Sequence, residues 1–254
     1  MSEQDSRIRL FVEQPLAAGA AVGLSPEQAH YLRSVMRLAV SAPVLLFNGR
    51  DGEWRARLDA LGKGWASCAV EALVRPQRPE PDLWLVFAPI KRARIDFVAQ
   101  KATELGVSCL WPVFTRHTVV ERVNSGRLRA NAIEAAEQCE RLSVPEVREP
   151  TELARVLAEW PPMRKILLCD ERGGGVPIVD ALAHQGAATA PWAVMTGPEG
   201  GFASDELDRL RKLPIVTAVG LGPRMLRADT AALAALACWQ AMLGDWCGGP
   251  LNTV

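Results

Sequence analysis

No C-x-x-C spacing occurs among the six cysteines of this 254-residue chain (Cys68, Cys109, Cys139, Cys169, Cys238, Cys247), and there are only three histidines. No Cys/His cluster offers four ligands, so a zinc site is not expected and no metal is called for. The thiols read as reduced and mostly buried, as in a cytoplasmic protein. An excess of either charge is missing too. Twenty-nine basic residues balance 29 acidic ones, which argues against a uniformly basic coat for nucleic acid and leaves room for a local basic groove. No apolar run reaches the roughly 18 residues of a membrane span. The opening, MSEQDSRIRLFVEQ, is polar and lacks the apolar core of a signal peptide. The phosphate-binding signatures G-x-x-x-x-G-K-[ST] and G-x-G-x-x-G are absent as well, and no internal repeat or low-complexity tract is visible.

What is present is ordinary globular composition, 49% hydrophobic and 23% charged, in a chain long enough for a sizeable core. Up to about Val74 the pattern is mostly β. RIRLFVE and EWRARLDAL alternate, APVLLFNG is a short apolar run, and WASCAVEALV reads as a further strand. One helix interrupts them, with Ser25 as cap and Pro26 at its first position. Arg33 and Arg37 are expected on one face of it. The summary is a small β-barrel with one helix over residues 1–74. Arg75–Asp82, with three prolines in eight residues, reads as an extended linker over 75–82.

Residues 83–254 alternate strand and helix: LWLVFAPI, then a helix ended by Gly106, then VSCLWPVF, RLRANAIEAAEQCERL, KILLCDE, PWAVMTG, SDELDRLRKL capped by Ser204, IVTAVGLG, and a last helix opened by Asp229 or Thr230. Such alternation predicts an α/β fold with a mostly parallel sheet covered on both faces.

Ligands of open parallel sheets bind beyond the carboxyl ends of the strands. Three strand ends here carry glycine: LLCDERGGG, MTGPEGG and VGLGPRMLRADT. Glycine lets a ligand approach main chain, and proline stiffens the loop. Such a loop can hydrogen-bond a flat heterocycle without side chains, which suggests an adenine-bearing cofactor. A pair of tight turns is the plain alternative. Two glycine-proline loops together, with arginines inside the second, favour the functional reading.

QKATELGV (Gln100–Val107), EAAEQCERLSVPEV (Glu134–Val147), MTGPEGGFASDEL (Met195–Leu207) and VGLGPRMLRADTAALAAL (Val219–Leu236), in this order and spacing, resemble the RsmE family over nearly the whole chain. That family comprises SPOUT-superfamily methyltransferases that form N3-methyluridine in bacterial small-subunit (16S) ribosomal RNA. Met225, Ala228 and Asp229 stand where the family usually has Ile, Thr and Glu; Asp229 keeps the charge, whereas Ala228 lacks a hydroxyl. The resemblance implies a trefoil-knotted SPOUT domain after a PUA-like RNA-binding barrel, and a homodimer with the target uridine near its interface. It also implies S-adenosylmethionine held bent in the three loops. The residues concerned are Leu168; Thr196, Gly197, Pro198, Glu199, Gly200 and Gly201; and Leu221, Gly222, Pro223, Met225 and Leu226.

Methylating uracil N3 requires an unpaired or flipped base, an outlet for the N3 proton, and a partner for charge on O2 and O4. Arg116 matches the family's arginine at that strand end and is expected to face the uridine or its phosphate; a plain surface arginine is the alternative. His117 suits acid–base work by type but departs from the family pattern, so a solvated bystander is expected. Glu199 either accepts the proton or braces its loop. Arg227 either holds O2/O4 or pairs with Glu199, and Arg224 is a weaker version of the same idea. Gln138 and Arg141 are placed three apart on one helix, either contacting RNA or a partner subunit or serving as plain helix surface, and Lys101 and Glu104 are expected to pair. Arg33, Arg37, Lys91, Arg92, Arg94 and Arg116 are the candidate RNA contacts. Neutral net charge suits a folded, protein-bound target, the assembled small subunit, better than naked RNA. A ribose 2′-O enzyme, a non-catalytic RNA-binding assembly factor and an unfamiliar nucleotide-dependent enzyme are the competing readings.

Overall fold

The computed structural model describes residues 8–183, 185 and 190–248, with only the backbone described for 92, 247 and 248. Two compact units emerge: Met1–Pro79 with Ala136–Val144, and Glu80–Ala135 with Pro145–Val254.

The first unit holds β1 (Arg9–Phe11), β2 (Ala21–Leu24), α1 (Pro26–His30), β3 (Pro43–Phe47), β4 (Glu53–Leu61) and β5 (Ala66–Arg75). Its five-stranded sheet runs β1-β3-β4-β5-β2, parallel at β1–β3 and antiparallel elsewhere. Leu10, Val22, Val44, Leu46, Ala56, Leu58 and Val70 alternate into one core, closed by Ala29 and Leu32. β2 is the strand that periodicity misses, because four residues carry too short a pattern to stand out. The α1 start is a full capping box: Gln28 N–H donates to Ser25 Oγ at 3.2 Å, and Ser25 N–H to Gln28 Oε1 at 3.1 Å. The expectation for Arg33 and Arg37 is corrected. A π-helical turn occupies Tyr31–Val35, and Arg37 lies past it with φ of 54°. The two are not successive turns of one face, although both are exposed.

Within the same unit, Arg9 and Glu53 form a buried pair at 2.6 Å. Arg9 also donates to the carbonyls of Ala136, Glu137 and Arg141 at 2.7–2.8 Å; the first two lie in the last turn of a helix, whose carbonyls lack intrahelical partners. Arg75 donates to the other Glu53 oxygen at 2.7 Å.

The second unit holds β6 (Leu83–Phe87), α2 (Arg92–Glu104), β7 (Cys109–Phe114), α3 (Ser125–Gln138), β8 (Glu146–Val147), β9 (Thr151–Glu152), α4 (Leu153–Ala158), β10 (Lys165–Cys169), β11 (Val176–Pro177), α5 (Ile178–Ala183), β12 (Trp192–Thr196), α6 (Ser204–Arg211), β13 (Val216–Gly220) and α7 (Ala228–Met242). The last residues of α3, from Ala136, cluster with the first unit. Because α3 ends at Gln138, Arg141 lies beyond the helix, contrary to expectation. The strands run β11-β13-β10-β12-β6-β7-β8, every neighbouring pair parallel. β6 and β12 are buried at every position, as expected of strands covered on both faces. The Lys101–Glu104 pair forms as expected, at 2.7 Å.

Candidate functional site

The strand order places β13, β10 and β12 side by side. Register joins Leu168 to Met195 and Cys169 to Val219, so the three glycine-bearing exits emerge together at one edge. Between them lies a cavity of about 530 Å³. Cys169–Gly173 line it from the β10 exit, Thr196–Glu199 and Gly201 from the β12 exit, and Val219–Ala228 with Ala231 from the β13 exit and α7. Two of the expected cofactor residues do not line it. Leu168 is fully buried in the core, and Gly200 is exposed outside the lining.

The glycines of GPEGG do different jobs. A Cβ on Gly197 would lie 3.0 Å from the Phe202 ring, which is almost fully buried. Gly201 has φ of +69°, and a Cβ there would lie 2.2 Å from Glu171 Oε1. A Cβ on Gly200 would meet only the His117 Cβ, at an ordinary 3.5 Å. Two of the three glycines thus accommodate the protein's own side chains rather than a guest. Gly201→Ala is therefore expected to weaken cavity ligands by about tenfold or more, since it combines left-handed strain of roughly 1–2 kcal/mol with displacement of Glu171. Gly200→Ala is expected to bind as wild type. Titration calorimetry of both variants checks the contrast, and a Gly200→Ala defect equal to that of Gly201→Ala would refute it.

Residues after β7 and on α6 hold the outer limb of this loop. His117 Nδ1 lies 3.1 Å from the Gly201 carbonyl; a carbonyl only accepts, so Nδ1 carries the proton, and His117 is not the bystander expected. Glu206 accepts from the N–H groups of Ala203 and Arg116, each at 3.0 Å. Arg116 makes two 2.6 Å bonds to Asp205 and does not line the cavity. The Arg116 guanidinium holds the Asp205 carboxyl below the usual carboxylate range. Ser204 begins α6 instead of capping it, Ala203 being the N-cap residue, and the Ser204 hydroxyl serves Arg172 at 2.9 Å. At α7 the cap position belongs to Arg227. Asp229 lies inside the first turn, accepting from Thr230 N–H at 2.9 Å.

Glu199, Arg224 and Arg227 line the cavity and are exposed. Among the described residues none of their side chains has a hydrogen bond or ion pair, so the Glu199 carboxylate neither braces its loop nor pairs with Arg227. Sequence reasoning missed Asp170, Glu171 and Arg172, which form the third wall. Their signal was the glycine run after them. Asp170 is enclosed, pairs with Arg211 and accepts from Arg172 N–H at 3.0 Å. Burial pushes the Cys169 thiol up to about 12, which removes it as a nucleophile. Lys91 is exposed, Arg94 lies 3.8 Å from Asp229, and the Arg92 side chain falls outside the described residues.

Residues 77–240 match the family model described as the RNA methyltransferase domain, and residues 24–71 match the RNA methyltransferase PUA domain. The chain belongs to this RNA methyltransferase family. A Rickettsia conorii protein named ribosomal RNA small subunit methyltransferase E is 31% identical over 94% of this chain and 97% of its own length. The Bacillus subtilis protein of the same name is 27% identical over 90% of this chain and 94% of its own. Among solved structures, the Neisseria gonorrhoeae ribosomal RNA small subunit methyltransferase E bound to S-adenosylmethionine superposes with a TM-score of 0.83 at 27% identity, covering 94% of this chain and 99% of the other. A Legionella pneumophila methyltransferase in complex with the same cofactor gives 0.84 at 29% identity, covering 94% and 98%.

Proposed function

We propose that this protein transfers a methyl group from S-adenosylmethionine to N3 of a uridine in 16S ribosomal RNA. The observation that carries the reading is the convergence of three glycine-bearing strand exits on one cavity. Its volume of about 530 Å³ lies in the range of cofactor sites. Its wall combines glycines at Gly197, Gly201, Gly220 and Gly222, which offer only main chain, with the apolar Leu221 and Leu226, which suits a flat adenine. When bound, S-adenosylmethionine supplies an electrophilic methyl on a sulfonium.

The chain's own residues must position the uridine, take its N3 proton and balance charge on O2 and O4. We assign proton acceptance to Glu199, whose carboxylate is at the cavity and uncommitted, and charge balance to Arg227 with Arg224. Arg116 is assigned to the nucleotide's phosphate. Its pair with Asp205 is exposed, and exposed pairs contribute little, so exchange for a phosphate costs little. Arg33, Arg37, Lys91, Arg92 and Arg94 are assigned to further phosphates.

The same reading includes an RNA-binding domain over 1–74, a linker over 75–82 and a catalytic SPOUT domain over 83–254 with a trefoil knot. A compact unit ending at Pro79 supports a boundary in the proline-rich stretch. It also includes a homodimer acting in the cytoplasm on the assembled small subunit, without a metal.

Calorimetry with S-adenosylmethionine and nucleoside analysis of ribosomal RNA from cells lacking the protein test it together. Micromolar binding and selective loss of N3-methyluridine are expected. Loss of a 2′-O-methyl nucleoside instead would make this a ribose enzyme, and absence of cofactor binding would make it an assembly factor.

A further inference from the structure

The loop that follows β12 carries four consecutive main-chain groups that the protein itself satisfies. Gly201 C=O faces His117 at 3.1 Å, Phe202 N–H donates to Glu171 at 3.3 Å, Phe202 C=O accepts from Arg172 at 2.9 Å, and Ala203 N–H donates to Glu206 at 3.0 Å. Two of the four partners, Glu171 and Arg172, come from the β10 exit, which is itself a wall of the cavity. Arg172 holds two points at once, the Phe202 carbonyl and Ser204 Oγ, each at 2.9 Å. Its own N–H is fixed by Asp170 at 3.0 Å, and Asp170 in turn pairs with Arg211 at the far end of α6. The β10 exit therefore grips α6 at its first residue and at its last. A ligand in the cavity would touch both the gripping loop and the gripped one.

We propose that Arg172 is a positioning residue that fixes the GPEGG loop in its ligand-ready shape by bridging the β10 and β12 exits. The inference rests on the S-adenosylmethionine reading of the cavity. Without the bridge, Phe202 C=O and Ser204 Oγ lose a charged donor, and the loop must be ordered by the ligand at the cost of affinity. An arginine suits this work because its planar fork reaches two acceptors with little loss of freedom per bond; a lysine supplies a single point of charge.

The test uses the full chain and S-adenosylmethionine as probe, comparing wild type, Arg172→Ala, Arg172→Lys and Ser204→Ala. Arg172→Ala is expected to raise Kd and KM for S-adenosylmethionine by about tenfold or more, with a much smaller fall in kcat at saturation. Arg172→Lys and Ser204→Ala are expected to fall between it and wild type. The midpoint of thermal unfolding should stay close to wild type in all three. Equal cofactor affinity in wild type and Arg172→Ala would overturn the proposal, as would a fall in kcat with KM unchanged. Should Arg172→Ala not fold, wild-type cofactor affinity in both Arg172→Lys and Ser204→Ala would overturn it. A wild-type protein that binds no S-adenosylmethionine would instead overturn the reading on which it rests, and the same titration distinguishes the two failures.

Discussion

Gly175→Ala is expected to lower the midpoint of thermal unfolding by roughly 6–12 °C, from about 3 kcal/mol of overpacking in a chain of this size. A Cβ on Gly175 would stand 2.5–2.6 Å from the carbonyl carbon, Cα and nitrogen of Val219. All three are main-chain atoms of a strand, and none can rotate away as a side chain would. Val219 is fully buried, pairs with Val176 across β11–β13, and accepts from Asp170 N–H at 2.9 Å. Relief of the clash has to separate β11 from β13 or push the β10 exit outward, and both movements deform the wall of the cavity. Loss of S-adenosylmethionine binding should therefore accompany the loss of stability. Scanning calorimetry and a cofactor titration on one preparation check both; a wild-type midpoint would show that the β10 exit is not pressed against β13.

Glu53→Ala is expected to cost about 3–5 kcal/mol at neutral pH, the usual penalty for leaving a buried charge without its partner. Arg9 and Glu53 have side chains only 5% and 3% exposed, so water cannot replace the lost carboxylate. The same residue sets a pH dependence. Burial pushes the Glu53 carboxyl upward, but the hydrogen bonds from Arg75 and Arg9 outweigh it, and the group ends below its ordinary value. A carboxylate with a depressed folded pKa contributes stability that is fully present above its unfolded value, about 4.3, and is lost as pH falls through the folded value. Urea unfolding at pH 7 and at about pH 3 is expected to show wild type losing more stability than Glu53→Ala over that interval. Parallel losses in the two proteins would mean that the carboxylate does not titrate against folding.

The elements legible in the sequence are those whose pattern is long and local. LWLVF reads as a buried strand because every residue is apolar, WAVMT reads as a strand ending on the polar Thr196, and both are enclosed at every position. Ile95, Val98, Ala99, Ala102 and Leu105 trace one stripe; the first four are buried in α2, and Leu105 is its half-buried C-cap residue. Short pieces escaped: β2, β8, β9 and β11 have two to four residues each, less than a readable period. Helix starts were misplaced where a plausible cap residue was employed elsewhere. Ser204 serves Arg172, and Asp229 lies inside the turn that Arg227 opens. The glycines of GPEGG were legible as close approaches, but which atoms approach was not. Glu171 and Phe202 fill the space that the sequence reading left for a guest.

By itself the sequence determined an alternating α/β half with three glycine-bearing strand ends, because hydrophobic period and turn chemistry act between residues a few positions apart. Tertiary structure alone decided that β13, β10 and β12 are neighbours, so that exits near positions 170, 197 and 221 enclose one cavity. It alone decided that Arg9 reaches Ala136, 127 residues away, and that Arg172 holds Ser204, 32 residues away. Those choices follow from how crossovers bury the faces of the sheet as a whole, and from which buried polar groups must find partners once it closes. Neither requirement leaves a mark at the spacing of a single turn or strand.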